Sequence, residues 1–331
     1  MKKFLDLPHS KYESTCYING LYDILAWKGG LYEYFLLPVI GGMAGFSYLK
    51  FKQAVPPQMV YWGNSPKYLL KELSPIVGFS EEISEGRSWK TLLERIRESI
   101  GNNMPVVAGA LDMFHLNYYT HLYKRTHVPI HYVLITGYDD DSEEFSILDC
   151  SYENLQKITY DDLRMALDVN VPGMSKKNTI RIFRVPDRLP DELEVTEKGF
   201  RHKAERMLNP PVSLTGIPAM RKLAKEITGW NNKESFRHMV AYAGMTPPLI
   251  PRDLSQSNGL RFRQAGLLET LGRKYGRANW TETAGLFRKS GELIISLCRE
   301  AVKYDGKKCS GILTGIATIE EEAYKMLTQP D

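Results

Sequence analysis

The sequence has no run of about 18 apolar residues, the length a membrane-spanning helix needs, so no span is predicted. It has only four cysteines in 331 residues, Cys16, Cys150, Cys298 and Cys309, and no two are spaced C-x-x-C. That spacing excludes the common zinc-ribbon and thioredoxin-type patterns, and four cysteines in so long a chain read as free thiols in a reducing compartment. Dense basic tracts are missing too. The chain carries 43 Lys and Arg against 39 Asp and Glu, a formal net charge of +4. This gives little support to a nucleic-acid partner and only a weak attraction for an acidic one. The opening "MKKFLDLPHSKYES" has two lysines but no apolar h-region, so it is not read as a signal peptide, and the expected location is cytoplasmic. There is no internal repeat and no low-complexity tract. "GGMAG" is not a phosphate loop, because no Lys-Ser/Thr follows it.

What is present is ordinary globular composition, 43% hydrophobic and 25% charged, in a chain long enough for two domains or one large one. Ile18, Leu21, Ile24 and Leu25 make the apolar face of a helix over 16–28 that Gly29-Gly30 stops. Residues 31–50 read as a turn-rich loop around Gly41-Gly42 and Gly45. "SWKTLLERIRESI" over 88–100 is an amphipathic helix ended by Gly101. Strands are expected at 105–111, 132–138, 144–149 and 178–184, from their β-branched and aromatic content. After "VPDRLPDELE" strand patterns vanish, and helical periodicity takes over at about 196–208, 217–229, 233–243, 260–274, 281–304 and 311–327. Breaks are expected at "NPPVSLTG" and "GMTPPLIPRDLSQSNG". The fold class is therefore α+β, an antiparallel-sheet domain over 1–186 followed by an all-helical domain over 187–331.

Cys16 sits where a helix should begin. Ser14 and Thr15 are good N-cap residues, so the thiol falls in the first turn, where free N–H groups and the dipole favour thiolate. The same N–H groups can hold an oxyanion. The alternative is a buried cysteine packed as a small hydrophobe. A nucleophilic thiol needs a base, and the base an orienting group. Of seven histidines, His131 opens the strand run "HYVLITGYDDDSEEFSILDC". A tight turn centred near Asp140 would put it opposite Asp149, within hydrogen-bonding reach, so that the carboxylate fixes the imidazole tautomer. The plain alternative is that two strand ends merely carry polar residues. His115, His121, His127 and His131 cluster in sequence without zinc-motif spacing, so no metal site is expected. Cys150, Cys298 and Cys309 read as structural thiols. Strand parity should point Cys150 away from Asp149.

The run "CYINGLYDILAWKGGLYE" followed by "VIGGMAGFSY" resembles the N-terminal domain of the butirosin biosynthesis protein H family. "PVVAGALDMFHLNYY" and "HYVLITGYDDD…FSILDCSY" match later blocks of that domain. "NPPVSLTGIPAMRKLAKEITGW" and "NGLRFRQAGLLETLG" resemble the helical domain that follows it. The resemblance implies a papain-like fold and amide-forming acyl transfer in natural-product biosynthesis. The acyl group would arrive as a thioester on the phosphopantetheine arm of an acyl carrier protein, with no resident cofactor, and leave on a small-molecule amine. It implies Cys16 as nucleophile, His131 as base and Asp149 as orienter. It also points to Glu33 and Asp112 as pocket carboxylates for a cationic amine. Asp112 could instead cap the strand over 105–111, and Glu33 could start a helix. Tyr118, in the aromatic cluster "MFHLNYYTHLYKRTH", is counted with the substrate-binding residues.

One departure stands out. Papain-like hydrolases usually carry a Gln about six residues before the cysteine, and Ser10 stands there here, beside His9. The expected oxyanion donors are therefore the Cys16 N–H and Ser10. A thioester is an easier electrophile than an amide, so the departure weighs against a peptidase or amidase more than against acyl transfer. A silent binding module is the third reading, opposed by intact Cys16, His131 and Asp149. A homo-oligomer stays open.

Overall fold

The structure is a computed structural model and describes residues 1–11, 16–63, 66–172, 174–243 and 259–329. In chain order the elements are β1 (Lys2–Phe4), α1 (Cys16–Trp27), α2 (Leu36–Ile40), β2 (Ser47–Lys50), β3 (Gln58–Tyr61), α3 (Pro66–Val77), β4 (Ser80–Ser84) and α4 (Trp89–Gly101). Then come β5 (Val106–Leu111), β6 (His131–Asp139), β7 (Glu144–Leu148), β8 (Gln156–Thr159), α5 (Tyr160–Leu167) and β9 (Ile180–Arg184). Six helices close the chain: α6 (Glu192–Leu208), α7 (Gly216–Glu226), α8 (Lys233–Tyr242), α9 (Leu260–Tyr275), α10 (Ala278–Ala301) and α11 (Gly306–Thr328). The expected α+β order, antiparallel sheet first and helices after, is what is observed. No helix among the described residues is long and apolar enough to cross a membrane. Most of the break expected at "GMTPPLIPRDLSQSNG" lies outside the described residues.

The chain packs as two units. One comprises Met1–Tyr32 and Ser74–Glu192, the other Glu33–Leu73 and Leu193–Asp331. A division at 186/187 thus follows chain order but not packing, because residues 33–73 pack with the C-terminal helices.

The first unit is built on an antiparallel sheet of order β4-β9-β5-β6-β7-β8. β1 joins β6 over Gly137–Asp139, beyond the stretch His131–Ile135 that β5 occupies. β6 is the axis of the sheet and its first seven residues are buried. α1 lies against it through Ile18, Leu21, Ile24 and Leu25, all buried. Gly20 lets the helix come close: a Cβ there would stand 2.9 Å from Val107 Cγ2 and 3.3 Å from Leu134 Cβ. The helix ends as its sequence dictates, with Gly29 at φ +85° and the Gly30 N–H closing on Leu25 O at 2.8 Å. α4 begins at Ser88, whose Oγ accepts from the Thr91 N–H at 3.2 Å.

In the second unit the expected turn-rich loop over 31–50 instead holds α2 and β2. Leu36, Leu37, Val39 and Ile40 are buried, so tertiary burial overrides a pattern too short to show a period. α9 and α11 are tied by the buried Arg261–Glu320 pair, Nε to Oε1 at 2.6 Å and an Nη to Oε2 at 3.0 Å. Ser290 Oγ of α10 donates to the same carboxylate at 2.6 Å. Arg261 also donates to Ala44 O and Gly45 O, at 2.6 and 3.2 Å.

Candidate active site

The hairpin of β6 and β7 turns over residues 140–143, later than a turn centred at Asp140 would. Leu134 pairs with Leu148, and a bulge lies between Ile135 and Gly137. Continuing that register puts Asp149 opposite Val133, not opposite His131. The expected direct opposition is therefore corrected to a diagonal one, two residues along the same face of β6. The bond forms all the same: His131 Nε2 lies 2.7 Å from Asp149 Oδ2, with both side chains buried.

Asp149 is fully committed. Oδ1 accepts from Tyr119 Oη at 2.8 Å and the Ser151 N–H at 3.0 Å. Oδ2 accepts from His131 Nε2 and from Tyr118 Oη at 3.0 Å. Two donors on each oxygen exhaust the usual capacity of a carboxylate. Burial alone would raise the Asp149 pKa, but the imidazole, the Ser151 N–H and Tyr119 outweigh it and hold the carboxyl below its usual range. Because Asp149 only accepts, His131 Nε2 carries the proton. In the neutral imidazole that leaves the lone pair on Nδ1, where a base needs it.

Two sulfurs adjoin this pair. Cys16, at the start of α1, is half-buried. The neighbouring Cys150 side chain is the main influence lowering the Cys16 pKa. Burial opposes it, the backbone N–H groups of Tyr132 and Tyr17 assist, and the Asp149 charge opposes. The Cys16 side chain and burial push the Cys150 thiol strongly up. The two shifts run in opposite directions, so Cys16 is the more acidic thiol of the pair. Strand parity fails for Cys150 because β7 ends at Leu148 and residue 150 lies in the turn beyond it. The thiol expected to point away is instead part of the cluster, one ligand-type atom each from His131, Asp149 and Cys150 lying within 4.8 Å of one another. These three could approach a soft cation, but the four bonds to Asp149 make the arrangement a hydrogen-bonded one. His127, from the histidine cluster in the sequence, goes elsewhere.

The remaining expected residues divide. Asp112 is a fastener: Oδ1 accepts from the Phe114 and Val128 N–H groups at 3.1 and 2.9 Å, and Oδ2 faces His127 Nδ1 at 2.6 Å. Burial would raise its pKa, but these three donors lower it. Tyr118 spends its hydroxyl on Asp149, and burial and the Asp149 charge push its own pKa well up. Ser10 is exposed and gives its backbone N–H to Asp23. Glu33 lies in the second unit, where its carbonyl accepts from the Leu36 N–H at 3.1 Å. Ser14 and Thr15 lie outside the described residues.

His9 carries a role its sequence position does not advertise. Nδ1 meets Asp23 Oδ2 at 2.7 Å, and Nε2 faces the carbonyls of Tyr152 and Asp149 at 2.9 and 3.2 Å. Acceptors on both nitrogens select the imidazolium. Burial works against it, yet Asp23 and the carbonyls raise its pKa. His9 thus braces the turn that carries Asp149 and Cys150 against α1, which carries Cys16. Tyr119 was also missed, although it stands beside Tyr118 in the aromatic cluster.

Residues 15–150 match the family model described as butirosin biosynthesis protein H, N-terminal. Residues 161–327 match a domain of unknown function, DUF4872. No curated protein matches the chain.

Proposed function

The chain belongs to the butirosin biosynthesis protein H family, and on that premise we propose that it is a cysteine-dependent acyltransferase that forms an amide. The family points to antibiotic biosynthesis. The observation that carries the reading is the buried His131–Asp149 pair at 2.7 Å, with Cys16, the more acidic of two thiols, beside it. We read the sheet domain as papain-like on the same grounds.

His131 Nδ1 takes the proton of the Cys16 thiol, and the thiolate attacks the carbonyl of an acyl thioester carried on the phosphopantetheine arm of a carrier protein. The C–S bond to the arm breaks, its thiol leaves with a proton from His131, and acyl-Cys16 remains. An amine attacks that carbonyl, His131 Nδ1 takes its proton, and the amide leaves as Cys16 returns to thiolate. The Cys16 N–H at the head of α1 is the oxyanion donor. Asp149 stabilises the imidazolium each time His131 takes up a proton. Asp112 and Tyr118 act in this reading as supports for the site.

Intact-protein mass spectrometry after incubation with acyl-loaded carrier proteins tests the reading. The expected result is a mass gain of one acyl group, absent in Cys16→Ala, retained in Cys150→Ala, and discharged by an amine faster than by water. A label on Cys150 alone would overturn the assignment of the nucleophile. Discharge by water alone would make the protein a peptidase- or amidase-type hydrolase.

A further inference from the structure

The second unit buries an unbalanced charge. Its buried Lys, Arg, Asp and Glu side chains, among the described residues, are Lys203, Arg261 and Glu320, two cations to one carboxylate. Arg261 and Glu320 neutralise each other through two hydrogen bonds. Lys203, on α6, is left over. It is 3% exposed, and its Nζ donates to two neutral oxygens, Val39 O at 2.9 Å and Gln264 Oε1 at 3.1 Å. Among the described residues no carboxylate oxygen lies within the 4.0 Å of an ion pair. An uncompensated buried ammonium is costly. It must either shed its proton or acquire an anion.

Lys203 lines a cavity with room of about 70 Å³, enough for a small polyatomic ion or a few waters. Gly41, Gly42, Gly45 and Gly216 belong to its wall, Gly41 and Gly216 at close approaches where a Cβ would meet Leu69 and the Met207 carbonyl. Thr215 and Gly216 begin α7, an 11-residue helix whose positive end lies at this wall, with the Gly216 N–H already given to Phe46 O at 3.0 Å. The Thr215 hydroxyl does not cap it, since it donates to Val212 O at 3.3 Å. Arg206, His202 and Glu72 complete the lining. Glu72 is shared, bonded to His202 Nε2 at 2.6 Å and to an Arg206 Nη at 2.8 Å. The polar lining therefore sets one carboxylate against Arg206, His202 and Lys203.

We propose that this cavity is a binding site for a phosphate-type oxyanion, with Lys203 at its base and Arg206 at its partly exposed edge. Burial, helped by the Arg261 charge and opposed by that of Glu320, holds Lys203 well below the usual lysine range. A bound oxyanion supplies the missing counter-charge and returns Lys203 to the ammonium form. The site uses no residue of the Cys16 centre, so it stands or falls independently of the acyl-transfer reading.

The test is calorimetric titration of the full chain with inorganic phosphate, at an ionic strength held constant with chloride. Wild type should bind saturably, and its thermal midpoint should rise with phosphate. Lys203→Met should weaken binding about tenfold or more, and Arg206→Gln severalfold. Cys16→Ala should bind as wild type does. Circular dichroism checks the fold of each variant. If Lys203→Met does not fold, Arg206→Glu at the exposed edge takes its place and should abolish binding. Three results would overturn the proposal: no saturable binding by wild type, equal binding by the charge variants, or acetate matching phosphate.

Discussion

At the scale of single residues, the asymmetry between Cys16 and Cys150 makes a measurable claim. Alkylation of Cys16 by iodoacetamide should follow an apparent pKa below the ~8.5 of a free thiol. Cys150→Ala removes the neighbouring thiol and should raise that pKa, while Cys150→Ser, which keeps a hydrogen-bonding group, should stay near wild type. Rates followed against pH decide it, and identical profiles in all three proteins would remove Cys150 from the site. His9 makes a second claim. Both His9 and Asp23 have folded pKa values above their ordinary ones, Asp23 through burial, against which His9 and the Ser10 N–H act. Raised folded values mean that the native state holds extra protons. His9 thus contributes stability that is full below its unfolded pKa of about 6.5 and is lost as pH rises through the folded value. Wild type should lose more of its thermal midpoint between about pH 6 and 8.5 than His9→Gln does. Cys16, His131 and Asp149 were legible because each sits at an element end with a chemical reason to be there. Cys150 and His9 were not. Reading parity through Asp149 presumes that β7 continues past Leu148, and nothing near His9 in sequence names Asp23 or Tyr152 as its partners.

At the scale of elements, the site depends on how closely α1 approaches the sheet. Gly20→Val would drive a branched side chain into Val107 and Leu134. Overpacking of this kind costs about 1–3 kcal/mol, more than the few tenths gained in helix propensity. Chemical denaturation should show that loss, and acylation of Cys16 should fall with it because the head of α1 shifts. In the second unit, Glu320→Gln keeps the volume but strips Arg261 of its counter-charge. The expected loss is about 3–5 kcal/mol. A double replacement, Arg261→Met with Glu320→Leu, should lose less. The long helices and the core strands could be read from periodicity. α2, β2 and β3 could not, because runs of four or five residues punctuated by Gly and Pro carry no period of their own. The hairpin was legible in kind but not in register, since neither the length of its turn nor its bulge is written in the alternation of side chains.

At the scale of the whole molecule, the chain passes between its two units at 32/33, 73/74 and 192/193. A fragment of residues 1–186 would hold every residue of the proposed triad but strand the segment 33–73. Leu36, Leu37, Val39, Ile40, Phe46 and Tyr48, buried in the intact protein, would lose partners from 193 onward. The fragment should aggregate or bind a hydrophobic dye, while the full chain should do neither. Gel filtration of the two side by side checks this. The change of texture near residue 186 marks where helices take over, and it says nothing of an earlier segment enlisted by them.

That threading sets a schedule for synthesis. About 120 residues separate Leu73 from Leu193, and ribosomes add roughly 5–20 residues per second, so the early apolar segment waits for some 6–24 s before its partners begin to emerge. During this interval the nascent polypeptide is a client for holding factors. Production in a host short of them should favour inclusion bodies, and slower translation should prolong the exposure rather than relieve it.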